Sequence, residues 1–168
     1  MKLIDIGCNL ASKRLLPHLD RILAEAQEAG VIAQIITGSD AASNQTALEL
    51  ANRHSELYAT AGYHPHHADD WHAPAHRLLL QTLARETRCV AVGEMGLDYH
   101  RNLARRDNQR RCFTDQLAIA KTVQKPVFLH ERASGNPRTR AKAHRRPCPN
   151  SPALSGTASP AHACKWKR

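Results

Sequence analysis

Side chains that can bind metal or transfer protons follow four of the five strands that this sequence predicts. Asn9 comes after the first strand, His64 and His66 come after the third, Glu94 follows the fourth, and His130 ends the fifth. The carboxyl ends of parallel strands meet on one face of a sheet or barrel, where loops converge and active sites are built. We therefore expect these side chains to lie together.

Glu94 and His130 are the two residues that we interpret as metal ligands. Glu94 lies in the segment VAVGEMGLDY, where Gly93 and Gly96 flank it and allow the backbone to turn sharply at the rim of the sheet. A glutamate at the rim could also form a surface salt bridge. His130 ends the segment PVFLH, and a histidine at such a place is, by itself, more often a neutral side chain hydrogen-bonded at a strand end.

Residues 62–72, GYHPHHADDWH, are dense in histidine and aspartate. His64 and His66 straddle a proline that holds them on one side of an extended turn, where they could orient a phosphate or a water molecule. Near the first strand, Asp5 and Asn9 could join the site through hydrogen bonds to its ligands, although Asp5 could equally fix its own loop. The remaining acids and histidines of the stretch are more typical of solvated loop residues: His67, Asp69, Asp70 and His72.

Short apolar runs rich in Ile and Val alternate with segments of helical period, a pattern typical of βαβ units around a parallel sheet. The strands are predicted at residues 2–6, 31–37, 57–60, 89–92 and 127–129, and the helices near residues 16–30, 41–53, 74–83 and 107–124. A loop is expected from residue 93 to about 106. The sequence therefore predicts an α/β fold, although its 168 residues are few for a closed eight-stranded barrel.

The basic charge of the chain lies in its last part. Residues 1–132 contain 16 of the 24 Lys and Arg and all 15 Asp and Glu, whereas residues 133–168 contain eight basic side chains and no acid. Five of the nine prolines and only one large aliphatic residue, Leu154, lie in this second segment. We predict a barrel part at residues 1–132 and a basic, proline-rich, disordered tail at residues 133–168. The abrupt change favours a shift of reading frame soon after Arg132, with a genuine basic extension as the alternative.

The cysteines favour a reducing, cytoplasmic setting. They are an odd, scattered set without a CxxC pair, which argues against a disulfide framework or a zinc knuckle: Cys8, Cys89, Cys112, Cys148 and Cys164. No apolar run approaches the roughly 18 residues that span a bilayer, and Asp5 interrupts the first one, so we expect neither a signal peptide nor a membrane anchor.

Five segments, in order, resemble the TatD family of deoxyribonucleases: IDIGCNL, ITG, AGYHPH, VAVGEMGLDYHRN and PVFLH. The resemblance covers residues 1–132 and implies a TIM-type (β/α) barrel of the metal-dependent hydrolase kind, truncated after about five strands. It also implies that Glu94 and His130 bind a divalent metal, with Mg²⁺ ahead of Mn²⁺ or Zn²⁺, and that His64 and His66 lie near the scissile phosphate. The family's later HCF-type and ETD-type motifs, which supply further ligands, are absent from this sequence.

Three hypotheses about function follow. The first is metal-dependent hydrolysis of DNA by a TatD-type deoxyribonuclease, expected to act as an exonuclease. The second is a binding protein in which residues 133–168 hold nucleic-acid phosphates without catalysis. The third is an inactive fragment, because half a barrel leaves strand edges unpaired and a metal site incomplete. DNA is the expected substrate, no membrane is expected as partner, and the oligomeric state is left open.

Overall fold

The computed structural model describes residues 1–134. Its strands are β1 (Leu3–Cys8), β2 (Val31–Ile36), β3 (Leu57–Ala61), β4 (Cys89–Asp98) and β5 (Val127–Arg132). Its helices are α1 (Leu19–Glu28), α2 (Ala41–Arg53), α3 (Ala73–Arg85) and α4 (Arg106–Val123), with 3-10 turns at Leu16–His18 and Pro65–Asp70. Apart from its first two residues, the tail predicted at residues 133–168 lies outside the described residues.

The five strands of this part form one parallel sheet. Their order is β1-β2-β3-β4-β5, so each strand pairs with the strand that precedes it in the chain. A parallel pair needs a crossover connection, and the four helices supply the crossovers. The strands curl into a half-barrel, which confirms the predicted α/β fold of the TIM-barrel type.

The helix ends follow local sequence signals. The Asp40 side chain accepts the Ser43 N–H at 2.8 Å and the Ser43 hydroxyl accepts the Asp40 N–H at 3.0 Å, a reciprocal cap that starts α2. Pro74 lies in the first turn of α3, as predicted. After α1, Gly30 has a φ of +90°, and a Cβ at this position would lie 2.6 Å from the Met1 carbonyl oxygen. A glycine is therefore needed where the chain turns into β2.

The core lies between the sheet and its helices, and β3 and β4 are its most buried strands. Its largest fully buried apolar side chains are Ile36, Leu57, Leu80, Val92, Met95 and Ile119. The strand β1 is far more exposed, with Leu3 at 41% and Ile4 at 57%. On α4, the predicted apolar face packs on the core, but the deepest stripe includes two amides, Gln109 and Gln116, both 0% exposed. Polar groups buried this deeply need hydrogen-bond partners.

The prediction that the fourth strand ends at Val92 is wrong, because β4 continues through Asp98. Glycine has a low strand propensity, so Gly93 and Gly96 favour a loop when the sequence is considered alone. Both instead allow β4 to lie close to β5: a Cβ at Gly93 would be 2.1 Å from the Phe128 carbonyl oxygen, and one at Gly96 would be 1.9 Å from that of His130. The predicted loop therefore begins only after Asp98, and Glu94 lies within the strand.

Two further predictions concern the described part of the chain. Cys8, Cys89 and Cys112 are free thiols, whereas Cys148 and Cys164 lie outside the described residues. Among residues 1–134, no helix combines the length and the apolar composition that crossing a membrane requires.

Candidate metal centre

Three potential metal ligands come from three neighbouring strands. His64 follows β3, Glu94 lies in β4 and His130 lies in β5, and their ligand atoms are all within 4.8 Å of one another. His130 Nδ1 lies 3.1 Å from Glu94 Oε1. Two atoms that bind one ion at about 2.0–2.2 Å lie less than roughly 4.4 Å apart, so this pair fits a shared divalent cation. Carboxylate oxygen and imidazole nitrogen are also donor types that divalent metals accept.

The pairing of β4 with β5 positions Glu94 and His130. Gly96 is the register partner of His130, and Glu94 precedes Gly96 by two residues, so the two side chains are diagonal neighbours on one face of the sheet. The Glu94 N–H donates to the Gly38 carbonyl oxygen at 2.9 Å, which ties this point of β4 to the residues after β2. The peptide bond between Gly93 and Glu94 is cis.

Asp98 adds a second carboxylate to the same face of β4, four residues after Glu94. Its side chain is completely buried. Its Oδ2 lies 2.8 Å from His66 Nε2 and 3.3 Å from His130 Nε2, and its Oδ1 accepts the Arg101 N–H at 2.9 Å. A histidine from the loop after β3 and a histidine from β5 therefore share one carboxylate oxygen.

His64 and His66 are held by the 3-10 turn that starts at Pro65. The His66 N–H donates to His64 Nδ1 at 3.2 Å, and the two rings meet edge to face with centroids 4.2 Å apart. Because Nδ1 of His64 accepts a hydrogen bond, the hydrogen of its neutral ring lies on Nε2. In this arrangement His64 is suited to donate a hydrogen bond. The His64 and His130 rings are also close, with centroids 4.4 Å apart.

Buried amides hold the backbone on both sides of the centre. Each one donates to the carbonyl of one residue and accepts the N–H of that same residue. Asn44 on α2 binds Gly62 in this way, at 3.0 and 2.9 Å. Gln116 on α4 binds Tyr63, at 3.0 and 2.8 Å. Gln109 on α4 binds Asp98, at 3.3 and 2.9 Å. The loop that carries His64 and the end of β4 are therefore clamped by helices behind the sheet.

The charges of the centre favour a cation. Burial and the adjacent His130 imidazole lower the pKa of His64 to about 4, so this ring is neutral at physiological pH. Burial opposes the ionisation of both carboxyl groups, but hydrogen bonds outweigh it. The bond with His130 lowers the pKa of Glu94, and the bonds from the Arg101 N–H, His66 and His130 lower that of Asp98 to about 2. The bond with Glu94 raises the pKa of His130. Two carboxylates thus face one neutral imidazole and one that readily becomes a cation.

Comparison with known families agrees with this geometry. Residues 4–145 match the family described as TatD related DNase. The chain belongs to this family. The match ends at residue 145, which is 13 residues beyond the predicted end of the barrel part at residue 132. The boundary between barrel and tail is therefore still a prediction. Both the resemblance inferred from the five motifs and the predicted barrel type are confirmed.

Curated TatD relatives match the same part of the chain. The 3'-5' ssDNA/RNA exonuclease TatD of Erwinia tasmaniensis is 42% identical over 129 residues, which are 76% of this chain and 49% of the relative. The protein of the same name from Escherichia coli K12 is 39% identical over 128 residues, with 76% and 49% covered. The chain thus spans about half the length of the curated relatives it matches.

Solved TatD-family structures share the fold. The YJJV TatD homolog of Escherichia coli K12 superposes with a TM-score of 0.72 at 31% identity, over 79% of this chain and 51% of that one. A TatD-family hydrolase from Entamoeba histolytica gives a TM-score of 0.75 at 24% identity, over 84% and 54%. The half-barrel therefore corresponds to about half of a TatD-type barrel.

In this TatD-family chain, the four predicted site residues lie together: His64, His66, Glu94 and His130. The two weaker candidates, Asp5 and Asn9, form hydrogen bonds with residues other than these four. Asp5 accepts the Gly7 N–H at 3.1 Å, so its side chain fixes its own loop. Asn9 accepts a hydrogen bond from the Thr37 hydroxyl at 3.1 Å. Neither of these hydrogen bonds reaches the centre. The metal roles of Glu94 and His130 and the catalytic roles of the histidine pair are still predictions.

The other polar residues of 62–72 take no part in a metal cluster. Among residues 1–134, the only group of three or more donors close enough for one ion is His64, Glu94 and His130. Asp69 nevertheless has a structural role. It is exposed, yet its Oδ1 accepts the Arg105 N–H at 3.0 Å and the Asn108 amide at 2.9 Å, which ties the 3-10 turn to the start of α4.

Sequence reasoning missed Asp98 and the clamping amides. Asp98 stands four residues after Glu94, so the period of two would have placed it on the same face had the strand been extended through Gly96. Asn44 precedes Ala47 and Leu48 at helical spacing and hence lies on the buried face of α2. Each signal was in the sequence, but a polar side chain on a helix is ordinarily interpreted as solvated.

Proposed function

We propose that this chain carries part of a metal-dependent phosphodiesterase centre that acts on single-stranded nucleic acid. The single observation that supports this most is the convergence of the His64, Glu94 and His130 ligand atoms within 4.8 Å. Membership of the TatD related DNase family supports DNA as the substrate. The name of the curated relatives, 3'-5' ssDNA/RNA exonuclease, supports RNA as a second substrate and degradation in the 3'-5' direction. Because the chain spans about half of those relatives, activity of this polypeptide is part of the proposal.

Glu94 and His130 are the residues that would hold the ion. A divalent cation supplies Lewis-acid chemistry when bound, since it polarises a phosphoryl oxygen and lowers the pKa of water. The family resemblance implies Mg²⁺ first, with Mn²⁺ or Zn²⁺ as alternatives. The donor set favours the alternatives, because Mg²⁺ prefers oxygen ligands whereas imidazole suits Zn²⁺ and related transition metals.

His64 and His66 would act on the substrate phosphate. Neutral His64 has its hydrogen on Nε2, because its Nδ1 accepts the His66 N–H, and Nε2–H can donate to a phosphoryl oxygen. His66 is oriented by the Asp98 carboxylate at 2.8 Å. The site's own residues thus bind and orient the phosphate next to the metal position.

The test is release of nucleotides from 5'-labelled single-stranded DNA by the full chain in Mn²⁺, Mg²⁺ or Zn²⁺. Glu94→Gln keeps the size of the side chain but removes its charge. We expect activity to fall at least about 100-fold, since even loss of a partner outside the ligand set costs about 10- to 100-fold. Glu49→Gln, an exposed position on α2, is the matched control and should keep full activity. Activity that is indifferent to Glu94→Gln would refute the metal role of this residue.

The alternative functions give different results in the same assay. If the basic residues of 133–168 are a phosphate-binding segment without catalysis, DNA binding will weaken steeply with salt and will not change in Glu94→Gln. If the chain is an inactive fragment, neither metal-dependent release nor a cooperative thermal transition will be observed. A cytoplasmic location belongs to the proposal as well, because the cysteine spacing favours a reducing compartment.

A further inference from the structure

Asp98 is a buried carboxylate that joins a proposed metal ligand to a proposed catalytic histidine. Its side chain is 0% exposed, and a single oxygen, Oδ2, contacts both Nε2 of His66 at 2.8 Å and Nε2 of His130 at 3.3 Å. Its other oxygen is occupied by the Arg101 N–H at 2.9 Å. The two rings approach this oxygen from different elements, since His66 lies in the turn after β3 and His130 lies in β5.

The carboxylate itself is held in place by backbone contacts. Gln109 on α4 accepts the Asp98 N–H at 2.9 Å and donates to the Asp98 carbonyl at 3.3 Å. The same amide also donates to the Ala104 carbonyl at 2.8 Å. Asp98 pairs with Arg132 in the register between β4 and β5. These contacts fix the backbone of Asp98 from two sides, so its carboxylate can hold the two imidazoles in fixed orientations.

The hydrogen-bonding capacity of these groups determines where the hydrogens lie. An ionised carboxylate can only accept, so each Nε2 that contacts it donates. A neutral imidazole has one N–H, and with that hydrogen on Nε2 the lone pair lies on Nδ1. For His130, Nδ1 is the atom 3.1 Å from Glu94 Oε1. Glu94 is a carboxylate as well, so in the absence of an ion Nδ1 also makes this contact as a donor. If a cation takes the place of the Nδ1 hydrogen, the hydrogen that remains on His130 is the one on Nε2, which Asp98 accepts.

We infer that Asp98 is a positioning residue that fixes the hydrogen on Nε2 and the ring orientation of both His66 and His130, so that His130 Nδ1 and Glu94 Oε1 would be left to hold a divalent cation. This inference rests on the proposed function, because it assigns a role within the same centre. A carboxylate that accepts the second N–H of a ligating histidine orients the ring and raises its basicity, and loss of such a partner lowers metal affinity about 10- to 100-fold. Through His66, the same residue also orients the ring proposed to face the phosphate.

The first test needs no substitution. The full chain, labelled with ¹⁵N, is examined with the diamagnetic ion Zn²⁺ by two-bond ¹H–¹⁵N correlation of its imidazoles at about pH 8, above the usual imidazole pKa. We expect His66 and His130 to give the pattern of the Nε2–H tautomer. An Nδ1–H pattern for His130 would overturn the inference. A purely structural role of Asp98, such as accepting the Arg101 N–H, would not select one tautomer in two separate rings.

The second test compares Asp98→Asn with the wild-type chain by calorimetric titration with Mn²⁺. We expect affinity to fall about 10- to 100-fold and the two rings to show mixed tautomers. Asp20→Asn, an exposed position in the first turn of α1, is the control and should bind Mn²⁺ as the wild type does. A folded Asp98→Asn variant with unchanged tautomers and affinity would also overturn the inference. If the variant does not fold, the wild-type tautomers decide alone.

Failure of this inference differs from failure of the proposed function. A chain whose Mn²⁺ affinity depends on Asp98, but which releases no nucleotides from DNA, would contradict the nuclease proposal and leave the role of Asp98 standing. A chain that cleaves DNA in a Glu94-dependent manner, while Asp98→Asn changes neither tautomer nor affinity, would contradict the role of Asp98 and leave the nuclease proposal standing.

Discussion

The buried amide of Gln116 allows a quantitative test of how the centre is held. Gln116 is 0% exposed, and its carboxamide pairs with both the N–H and the carbonyl of Tyr63, the residue before His64. Its Nε2 also lies 3.2 Å from Cys112 Sγ. Gln116→Leu would keep most of the volume and remove every hydrogen bond of this clamp. The Tyr63 backbone would then have a buried donor and a buried acceptor without this partner.

The expected loss of stability follows from these two groups. Each buried backbone group left unsatisfied costs about 1–3 kcal/mol, or roughly 2–6 kcal/mol for both. The leucine side chain offsets about 1–2 kcal/mol of this by burying more apolar surface. We therefore expect Gln116→Leu to lower the free energy of unfolding by about 2–3 kcal/mol, the middle of a range of roughly 0–5 kcal/mol. That is a large part of the 5–15 kcal/mol typical of a domain.

Urea unfolding followed by far-UV circular dichroism measures this loss. With a urea dependence of about 1–3 kcal/mol per molar, the midpoint should fall by about 1–2 M. Gln45→Leu, an exposed position on α2, is the control and should change stability by less than about 0.5 kcal/mol. Equal midpoints for the two variants would refute the reasoning. Gln116→Glu would place a carboxylate oxygen against the Tyr63 carbonyl, so its stability should improve as the pH falls and the new group is protonated.

Three further predictions concern the proposed metal ligands, the buried hydroxyl of Tyr63 and two buried cysteines. Calorimetry should show tighter binding of Mn²⁺ than of Mg²⁺ at Glu94 and His130, because imidazole is a poor ligand for Mg²⁺; tighter Mg²⁺ binding would contradict the assigned donor set. Burial raises the pKa of Tyr63 to about 12, and its hydroxyl has no hydrogen-bond partner among residues 1–134. The unfolded chain therefore loses this proton first, and wild-type stability should decline relative to Tyr63→Phe as the pH rises above about 10; parallel pH curves would exclude this. Burial likewise raises the pKa of Cys112 to about 12 and that of Cys89, so peptide-resolved alkylation should modify neither thiol until the chain unfolds in urea.

The order of apolar strands and helical segments made the fold and the site's location predictable. The sequence predicts His130 and Glu94 on one side of the sheet because each follows an apolar run, the first after Pro126 and the second from Cys89. In the structure β5 and β4 are longer than predicted, and both residues lie within these strands. Both runs are buried or half-buried strands in the structure. A sheet of parallel strands then requires their carboxyl ends to lie on one side. This part of the site depends only on local pattern and chain direction.

The parts that could not be predicted depend on long-range contacts. The continuation of β4 through Gly93 and Gly96 is determined by the approach of β5, more than thirty residues later, and local propensity argues against it. The burial of Asn44 and Gln116 depends on backbone groups that need partners at Gly62 and Tyr63, which the spacing of apolar residues does not reveal. The function of Asp98 was hidden for the same reason, since it required the strand to be extended first.

The order of strands in the sheet has a consequence for how the protein is made. Each strand pairs with its predecessor, so on the ribosome every new strand emerges beside an edge that has already been synthesised. Contacts between neighbouring segments lose less chain entropy than distant ones, which favours rapid growth of the sheet from the amino terminus. The candidate metal centre forms in the same sequence: the turn after β3 comes first, Glu94 and Asp98 follow, and His130 is the last of these groups to leave the exit tunnel.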